Sequence, residues 1–484
     1  MRIIDGAKLT AHGNRRGREL VVDILDAGLD ATDPAPKVRQ LVRLEGERLV
    51  VGDPLFEPPG SPRTGNTVYD LARIGRIYVF GAGKGVQHMA RPLEEILGDR
   101  LTGGHVIDKH GAPVILERIG VTFGAHPVPD EGCVQGCLRI LEMAQGLMAN
   151  DLVFTLACSG ISSLLTLPAP GVTLDDIRQM TYLMQIERGA PTSDLNPIRS
   201  HLDRMKGGRI SRYIQPARAV HLFGSTLPYT YDDLMHRNSF LHNHPEGTTY
   251  ADAVASLQKW QAWDAVAPSI RAWLTKADPR HETVKVDEFE RTDFRTFRLT
   301  PEALSPLAAA RRRSLGLGLT PHMLATHLIA EAREAGFVVG TMAAEVERNG
   351  EPFAPPCALL SGGELLVTVG EETGVGGRNQ EFALAAALRI AGSANVVVGA
   401  VDTDGTDGPG TQYHDVDLGG VPCLAGGVTD GYTLGRAREL GLDLHDILRR
   451  HDASPALVRL ESGVVAEQNI GLCDLRVAVI LGRS

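Results

Sequence analysis

Short apolar runs alternate with stretches of helical period along most of this chain. Ile77-Tyr78-Val79-Phe80, residues 151–157 (DLVFTLA) and Ala219-Val220-His221-Leu222-Phe223 each read as a buried strand that ends in a small-residue turn. After the first of these, Val86, Met89, Ala90, Leu93, Ile96 and Leu97 recur at helical spacing, with Pro92 set to bend that helix. An amphipathic helix is predicted around residues 20–29, followed by an exposed segment at 43–47 and a proline-rich loop to Pro62. Buried strands alternating with helices predict a parallel sheet covered on both faces, with ligands beyond the C-terminal strand ends, here Lys84, Ser159 and Ser225. The charged stretch 281–298 has little helical period and reads as an interdomain crossing or an edge strand. Helices are predicted around 301–313 and 321–349, then a second strand-rich unit with apolar runs at 358–360, 365–369, 395–401 and 477–481. The expected fold class is α/β, two α/β domains with mainly parallel sheets flanked by helices: 1–282 and 301–484, joined by a crossing at 283–300.

Composition narrows the partners. At 484 residues the chain is too long for one core, and 54 glycines with only 5% aromatics suit an α/β protein with many tight turns. A formal net charge of -10 argues against nucleic acid or an anionic membrane as the main partner, and Arg311-Arg312-Arg313 reads as a solvated helix face. The six cysteines lack paired metal spacing and read as buried reduced thiols, which suits a cytoplasmic protein. Asp5, Lys8, Arg15 and Arg16 leave no signal-peptide core, and no apolar stretch reaches the length of a membrane span.

Two blocks carry the sharpest chemistry. Gly376-Gly377-Arg378-Asn379-Gln380-Glu381 fixes a cation on a glycine turn, and residues 402–409 (DTDGTDGP) form a glycine-spaced carboxylate loop. Glycines let backbone N–H groups approach an anion, while Asp404 and Asp407 could turn toward Mg²⁺ or a hydroxyl. The competing reading is a pair of surface turns, since Gly, Asp and Asn dominate turns anyway. Lys84 ends the turn Gly81-Ala82-Gly83-Lys84; this bare motif lacks both the dinucleotide fingerprint and the full P-loop spacing, so an exposed turn lysine competes with an anion site. Arg199, His201 and Lys206-Gly207-Gly208 form a basic cluster that suits a carboxylate or phosphate, or else a helix whose cations complement its C-terminal dipole with Gly207 as cap.

Further segments add to these: Leu44-Glu45-Gly46, His126-Pro127-Val128-Pro129-Asp130, Asn196 ahead of Arg199, His201 and Leu202, Lys206 to Arg209, Ser361-Gly362-Gly363-Glu364 and Gly426-Gly427-Val428-Thr429-Asp430-Gly431. Together with Gly81–Lys84 and the two blocks above, they resemble the class II glycerate 2-kinases, whose C-terminal half is called the MOFRL domain, over nearly the whole chain. Some members of that family carry an older hydroxypyruvate reductase label. The resemblance implies a large and a smaller α/β domain with an active-site cleft between them, and ATP- and Mg²⁺-dependent phosphorylation of the 2-hydroxyl of glycerate. It further implies Lys84 as the catalytic-site cation and Arg378 as a phosphate-stabilising residue. The expected catalytic set is Lys84, Arg378, Asp404 and Asp407, with Mg²⁺ on the two aspartates. Ser159, Gly160, Asn196, Arg199, Lys206, Gly207 and Gly208 are expected at a small anionic substrate, and Gly81, Gly83, Gly376, Gly377 and Glu381 at the nucleotide.

Departures from the family pattern cluster on the ligand-facing turns. Where the family has a serine, three glycines and a serine, this chain has Cys158-Ser159-Gly160-Ile161-Ser162, and Ile161 is expected to narrow the space over that turn. Thr226 occupies the position of the family's aspartate, and a hydroxyl cannot serve as a base near neutral pH; Asp232 and Asp233 follow closely. Phe240-Leu241-His242-Asn243 stands at the family's Ser-Gly-Pro-Thr, so His236, His242 and His244 crowd together and could ligate a divalent transition metal or move protons, or lie on a solvated loop. In the second half, 462–469 replaces the family's Thr-Gly-Pro-Thr-Gly-Thr-Asn. Three readings follow in order: a glycerate-kinase-like phosphotransferase, a non-kinase enzyme acting on a small sugar acid through the histidines, and a non-catalytic ligand-binding paralogue. None calls for a nucleic acid or a membrane, and a homodimer is admitted.

Overall fold

The computed structural model describes residues 1–227, 229–238, 240–412 and 415–482. Two compact units emerge, one from 33–301 and the other from 1–32 together with 302–484.

In the first unit β1 (Val42–Glu45), β2 (Arg48–Val51) and β3 (Thr67–Asp70) make a small antiparallel sheet. The principal sheet holds β4 (Ile77–Ala82), β5 (Gly103–Lys109), β6 (Gly120–Gly124), β7 (Leu152–Ala157), β8 (Arg218–Phe223) and β9 (Phe294–Arg298). Their order is β6-β5-β4-β7-β8-β9 and every pairing is parallel. β7 is buried at every position and β4 and β8 at all but one, the burial that a strand covered on both faces requires. Strand order reverses between β4 and β7, so the crevice at their C-terminal ends is the topological switch point where ligands of doubly wound sheets bind. Lys84 and the Ser159–Gly160 turn leave the sheet there.

The 281–298 stretch resolves as an edge strand: 294–298 is β9, paired with β8, so the supposed crossing at 283–300 belongs inside the first unit. The first 32 residues, expected within 1–282, fall in the second unit. Helix Arg15–Asp30 buries Leu20, Val21, Ile24, Leu25 and Leu29 among Val397, Val428, Leu475 and Val477 of the second unit's sheet.

That second sheet contains β10 (Thr320–Ala325), β11 (Cys357–Gly363), β12 (Val396–Asp402), β13 (Gly426–Asp430), β14 (Gly463–Val464) and β15 (Asp474–Ile480), ordered β10-β11-β15-β12-β13-β14. The units are α/β with helices on their sheets, as expected, but parallel pairing is concentrated in the first; here only β10–β11 is parallel. Residues 321–325 are strand rather than helix, because Thr320–Ala325 extends the edge beside β11, and the helix spans Ala332–Asn349. The run 365–369 is not a strand beyond a bridge between Leu366 and Glu331. Gly363, at φ +104, turns the chain out of the sheet where a Cβ would strike the Leu328 backbone at 2.2 Å.

Arg311, Arg312 and Arg313 are exposed on their helix. Cys133, Cys137, Cys158 and Cys357 are buried, and burial pushes the Cys133 thiol up to about 12. Among the described residues no helix is long and apolar enough to cross a membrane.

Candidate active site

At the switch point Lys84 is 7% exposed and donates its backbone N–H to the Ser159 carbonyl at 2.7 Å. Gly160 sits at φ +85 with its bare α-carbon against the Lys84 stem: a Cβ there would meet Lys84 Cγ at 2.7 Å and His126 Cδ2 at 3.3 Å. Two residues on, Ser162 Oγ lies 2.9 Å from His242 Nε2. His242 Nδ1 accepts from the Gly207 N–H at 3.4 Å, and the His242 carbonyl accepts from the Gly208 N–H at 3.1 Å. One side chain thus joins the turn after β7 to the Lys206-Gly207-Gly208 loop.

The basic cluster lies on the buried face of helix Thr192–His201. Lys206 is satisfied, with Nζ donating to Asp203 Oδ2 at 2.6 Å and Thr166 Oγ1 at 2.8 Å. Arg199 is not. It is 6% exposed, and its hydrogen bond among the described residues goes to the neutral Gln185 Oε1 at 2.8 Å. Burial alone pushes its pKa down to about 9, leaving it charged at neutral pH without a carboxylate to offset the cost. One helical turn earlier, neither Oδ1 nor Nδ2 of the fully buried Asn196 is hydrogen-bonded among the described residues. Arg199 also acts electrostatically on Lys206 and His242, which places the three close together. A guanidinium and a bare amide are groups of the kind that a small acid satisfies.

The glycine turns do something other than cradle phosphate. Around Lys84 the backbone donors are committed: Gly83 N–H to the Ile107 carbonyl at 3.1 Å, Gly85 N–H to Asp108 Oδ1 at 2.8 Å and Val86 N–H to the Gly83 carbonyl at 3.2 Å. Asp108, buried at the end of β5, fills the N-terminus of helix Val86–Leu97 where an external anion would otherwise sit. Gly81 and Gly83 face protein as well, for a Cβ would meet Leu156 Cβ at 2.7 Å in the first case and Cys158 Sγ at 2.4 Å in the second. They let β4 approach β7 closely. Gly207 and Gly208, at φ +61 and +77, similarly press on Thr283 and on the His244 carbonyl.

In the second unit Arg378 opens helix Arg378–Arg389 and is gripped by carboxylates. Its Nη1 donates to Glu364 at 2.8 Å, its Nη2 to Asp402 at 2.9 Å and its Nε to Asp474 at 2.9 Å. Burial works against its charge, and Asp474, Glu364 and Asp402 outweigh it, holding the guanidinium's pKa well above its ordinary value. At 21% side-chain exposure it is as much the keystone of a buried acidic cage as a residue offered to a ligand.

Asp407 caps the same helix. Its carboxylate accepts from Asn379 N–H at 3.0 Å and Gln380 N–H at 2.9 Å, and a Cβ on Gly377 would meet it at 2.3 Å. Gly376 abuts the His451 carbonyl, and Glu381 binds His451 Nδ1 at 2.8 Å. Asp404 Oδ1 accepts from Thr406 N–H at 2.7 Å. Asp407 is thus engaged at a helix N-terminus, and one carboxylate oxygen of Asp404 is held by its own loop. Among the described residues no group of three His, Cys, Asp or Glu side chains could hold a metal.

Burial raises the Asp407 carboxyl to about 6, against the pull of Arg378. The folded state then retains a proton between about pH 4 and 6 that the unfolded state has released, so this group's contribution weakens as pH rises through that window. Asp407→Asn keeps a cap acceptor and removes the titration. Its melting temperature relative to the parent is expected to climb from pH 4 to 6 and then level off, checked by thermal melts across pH.

The histidines do not gather into a metal site. His236 is exposed beside Asp232, 3.8 Å away, on the rim of a depression of about 640 Å³ lined by Pro59, Tyr231 and Met235. His242 and His244 are buried, and burial holds both well below the usual imidazole pKa. His244 is fixed by Asn243 Oδ1 at 2.8 Å and Thr296 Oγ1 at 2.7 Å. Ile161 does not close the turn either, for its side chain is 2% exposed within the core that holds Phe80, Val153 and Phe223. Asp233 is engaged in a capping box with Thr230, and Asp232 is exposed, so neither is set up to replace the carboxylate missing at Thr226.

Sequence reasoning passed over Asp108 and Gln185 in the first unit and, in the second, the three carboxylates around Arg378: Glu364, Asp402 and Asp474. Glu364 and Asp402 lay within motifs already singled out; Asp474 shows its role only once β15 is set beside β12 and β11.

Residues 20–275 match a family described as a domain of unknown function, DUF4147, and residues 357–470 match the MOFRL family. The chain is 30% identical to the glycerate 2-kinase of Pyrococcus horikoshii, over 92% of each chain. It is 31% identical to the D-glycerate 2-kinase of Thermotoga maritima, over 79% of this chain and 85% of that one. A crystal structure of glycerate kinase from Thermotoga maritima superposes with a TM-score of 0.68 at 27% identity, covering 96% of this chain and 99% of the other. With both domain matches in chain order and near-full-length similarity to these enzymes, the chain belongs to the glycerate 2-kinase family that couples a DUF4147 domain to a MOFRL domain.

Proposed function

We propose that this protein is a cytoplasmic kinase that transfers the terminal phosphoryl group of ATP to the 2-hydroxyl of glycerate or a closely related small 2-hydroxy acid. The observation that carries the reading is Arg199, a buried cation answered only by a neutral amide, one turn from the unpartnered Asn196. A substrate carboxylate supplies the missing negative charge, and the acid's hydroxyls can satisfy the Asn196 amide.

Lys84 stands at the neighbouring strand end, where its ammonium can offset charge on the transferring group. That chemistry needs positioning and charge neutralisation more than covalent help, which suits a site whose catalytic side chains are mostly cations. ATP reaches a kinase as its magnesium complex, the ion held chiefly by phosphate oxygens and water, and here it counts as part of the substrate. Hydride transfer fits poorly. The acidic residue at the end of β5, Asp108, is turned onto Gly85 N–H and the Gln87 amide, and the helix N-terminus that would receive a pyrophosphate is filled.

The test is a nucleotide-consumption assay across small 2-hydroxy acids with magnesium ATP. D-glycerate turnover is expected, and Lys84→Met is expected to lower kcat by about a hundredfold with KM for the acid nearly unchanged. No turnover with any acid, or an unimpaired Lys84→Met enzyme, would refute the assignment.

A further inference from the structure

His242 and Ser162 look at first like a serine made nucleophilic by a histidine, but the hydrogen bonds run the other way. The Gly207 N–H points at His242 Nδ1, so Nδ1 must accept and the ring proton sits on Nε2. Nε2–H then donates to Ser162 Oγ at 2.9 Å. The serine therefore cannot hand its own proton to the ring, and its hydroxyl hydrogen is left to donate elsewhere.

The surroundings keep the pair in that state. Lys206, Arg199 and Arg209 all oppose a positive charge on His242, on top of its burial. The ring cannot swing, because the residues around it are pinned. Leu241 is in the core, Asn243 Nδ2 donates to Thr155 Oγ1 at 2.9 Å, and Asn238 Nδ2 holds the Leu241 carbonyl at 2.9 Å. Ser162 follows Gly160, which touches the Lys84 stem, so its hydroxyl belongs to a neighbourhood with positive charge to spare. The ligand that suits an O–H donor among buried cations is an oxyanion.

We propose that Ser162 is a further substrate-binding residue, donating its hydroxyl hydrogen to the carboxylate of the acid held by Arg199, and that His242 is the positioning residue that keeps it a donor. The carboxylate assignment rests on the glycerate reading above; the direction of the Ser162–His242 bond does not.

The experiment compares Ser162→Ala, His242→Gln and His242→Leu in the full chain, with ligand-free melting to confirm folding and D-glycerate affinity read by titration calorimetry. Ser162→Ala is expected to bind about tenfold more weakly, the loss of one hydrogen bond to a charged group. His242→Leu should match it, whereas His242→Gln, whose amide N–H can replace Nε2–H, should stay within about threefold of the parent. Parent-like binding by Ser162→Ala, or a His242→Gln defect as deep as that of His242→Leu, overturns the proposal. Imidazole ¹⁵N NMR adds an independent readout: the Nε2–H tautomer with no protonation between pH 6 and 9 supports it, and an Nδ1–H tautomer or a titration near neutrality overturns it. If the parent protein fails to bind D-glycerate, the glycerate reading falls, and inorganic phosphate serves as the oxyanion probe for the same variants, read by the same criteria.

Discussion

Exchanging Arg199 for leucine is expected to raise the melting temperature and at the same time abolish recognition of the acid. In the ligand-free protein the guanidinium is buried, and among the described residues Gln185 alone answers it, with Lys206 close by. Holding it there costs several kcal/mol in desolvation, and nothing in its surroundings repays that before a ligand arrives. A leucine removes the charge and fills part of the volume. By analogy with buried charges replaced by apolar groups, a gain of about 1–4 kcal/mol is expected, which for a unit of this size shifts the melting point by on the order of 5 °C. Binding moves oppositely. Removing one partner of a buried charged pair costs about 2–5 kcal/mol, so affinity for D-glycerate should fall by on the order of a hundredfold or more. Melting and calorimetric titration of the same sample decide the matter. A structural brace would show a lower melting point with binding unchanged, and that result would remove Arg199 from the site.

The same residue shows how far the sequence carries. Its place in a basic cluster was visible, and so was the ambiguity between an anion site and a helix-dipole complement. What no spacing rule could give is its burial, nor that Lys206 has Asp203 for a counter-ion while Arg199 has none. The strands at 77–80, 151–157 and 219–223 were legible because runs buried on both faces leave an uninterrupted apolar signature. The partner of helix Arg15–Asp30 was not, since an amphipathic stripe announces that it will be covered but not by what; β12 and β15 lie hundreds of residues downstream. The glycine turns misled for a related reason. A glycine next to a lysine signals close approach, but whether phosphate or protein approaches depends on an acceptor far off in sequence. Asp108 takes that place at Gly85, and Asp407 takes it at Asn379 and Gln380.

Arg378 is the residue whose removal should harm the fold most. Glu364, Asp402 and Asp474 converge on it, and Asp474 also receives Arg476. Breaking a buried ion-pair network from one side costs about 3–5 kcal/mol, because carboxylates gathered around a shared cation are left facing one another. Arg378→Met is therefore expected to melt on the order of 10 °C lower at neutral pH. Arg378→Lys separates the cage from any catalytic role: a point charge restores most of the stability but cannot present a planar fork to three acceptors at once. A lysine variant that melts like the parent yet turns over D-glycerate at least tenfold more slowly would show Arg378 acting on the ligand. Full activity at full stability would confine the residue to holding its own carboxylates together.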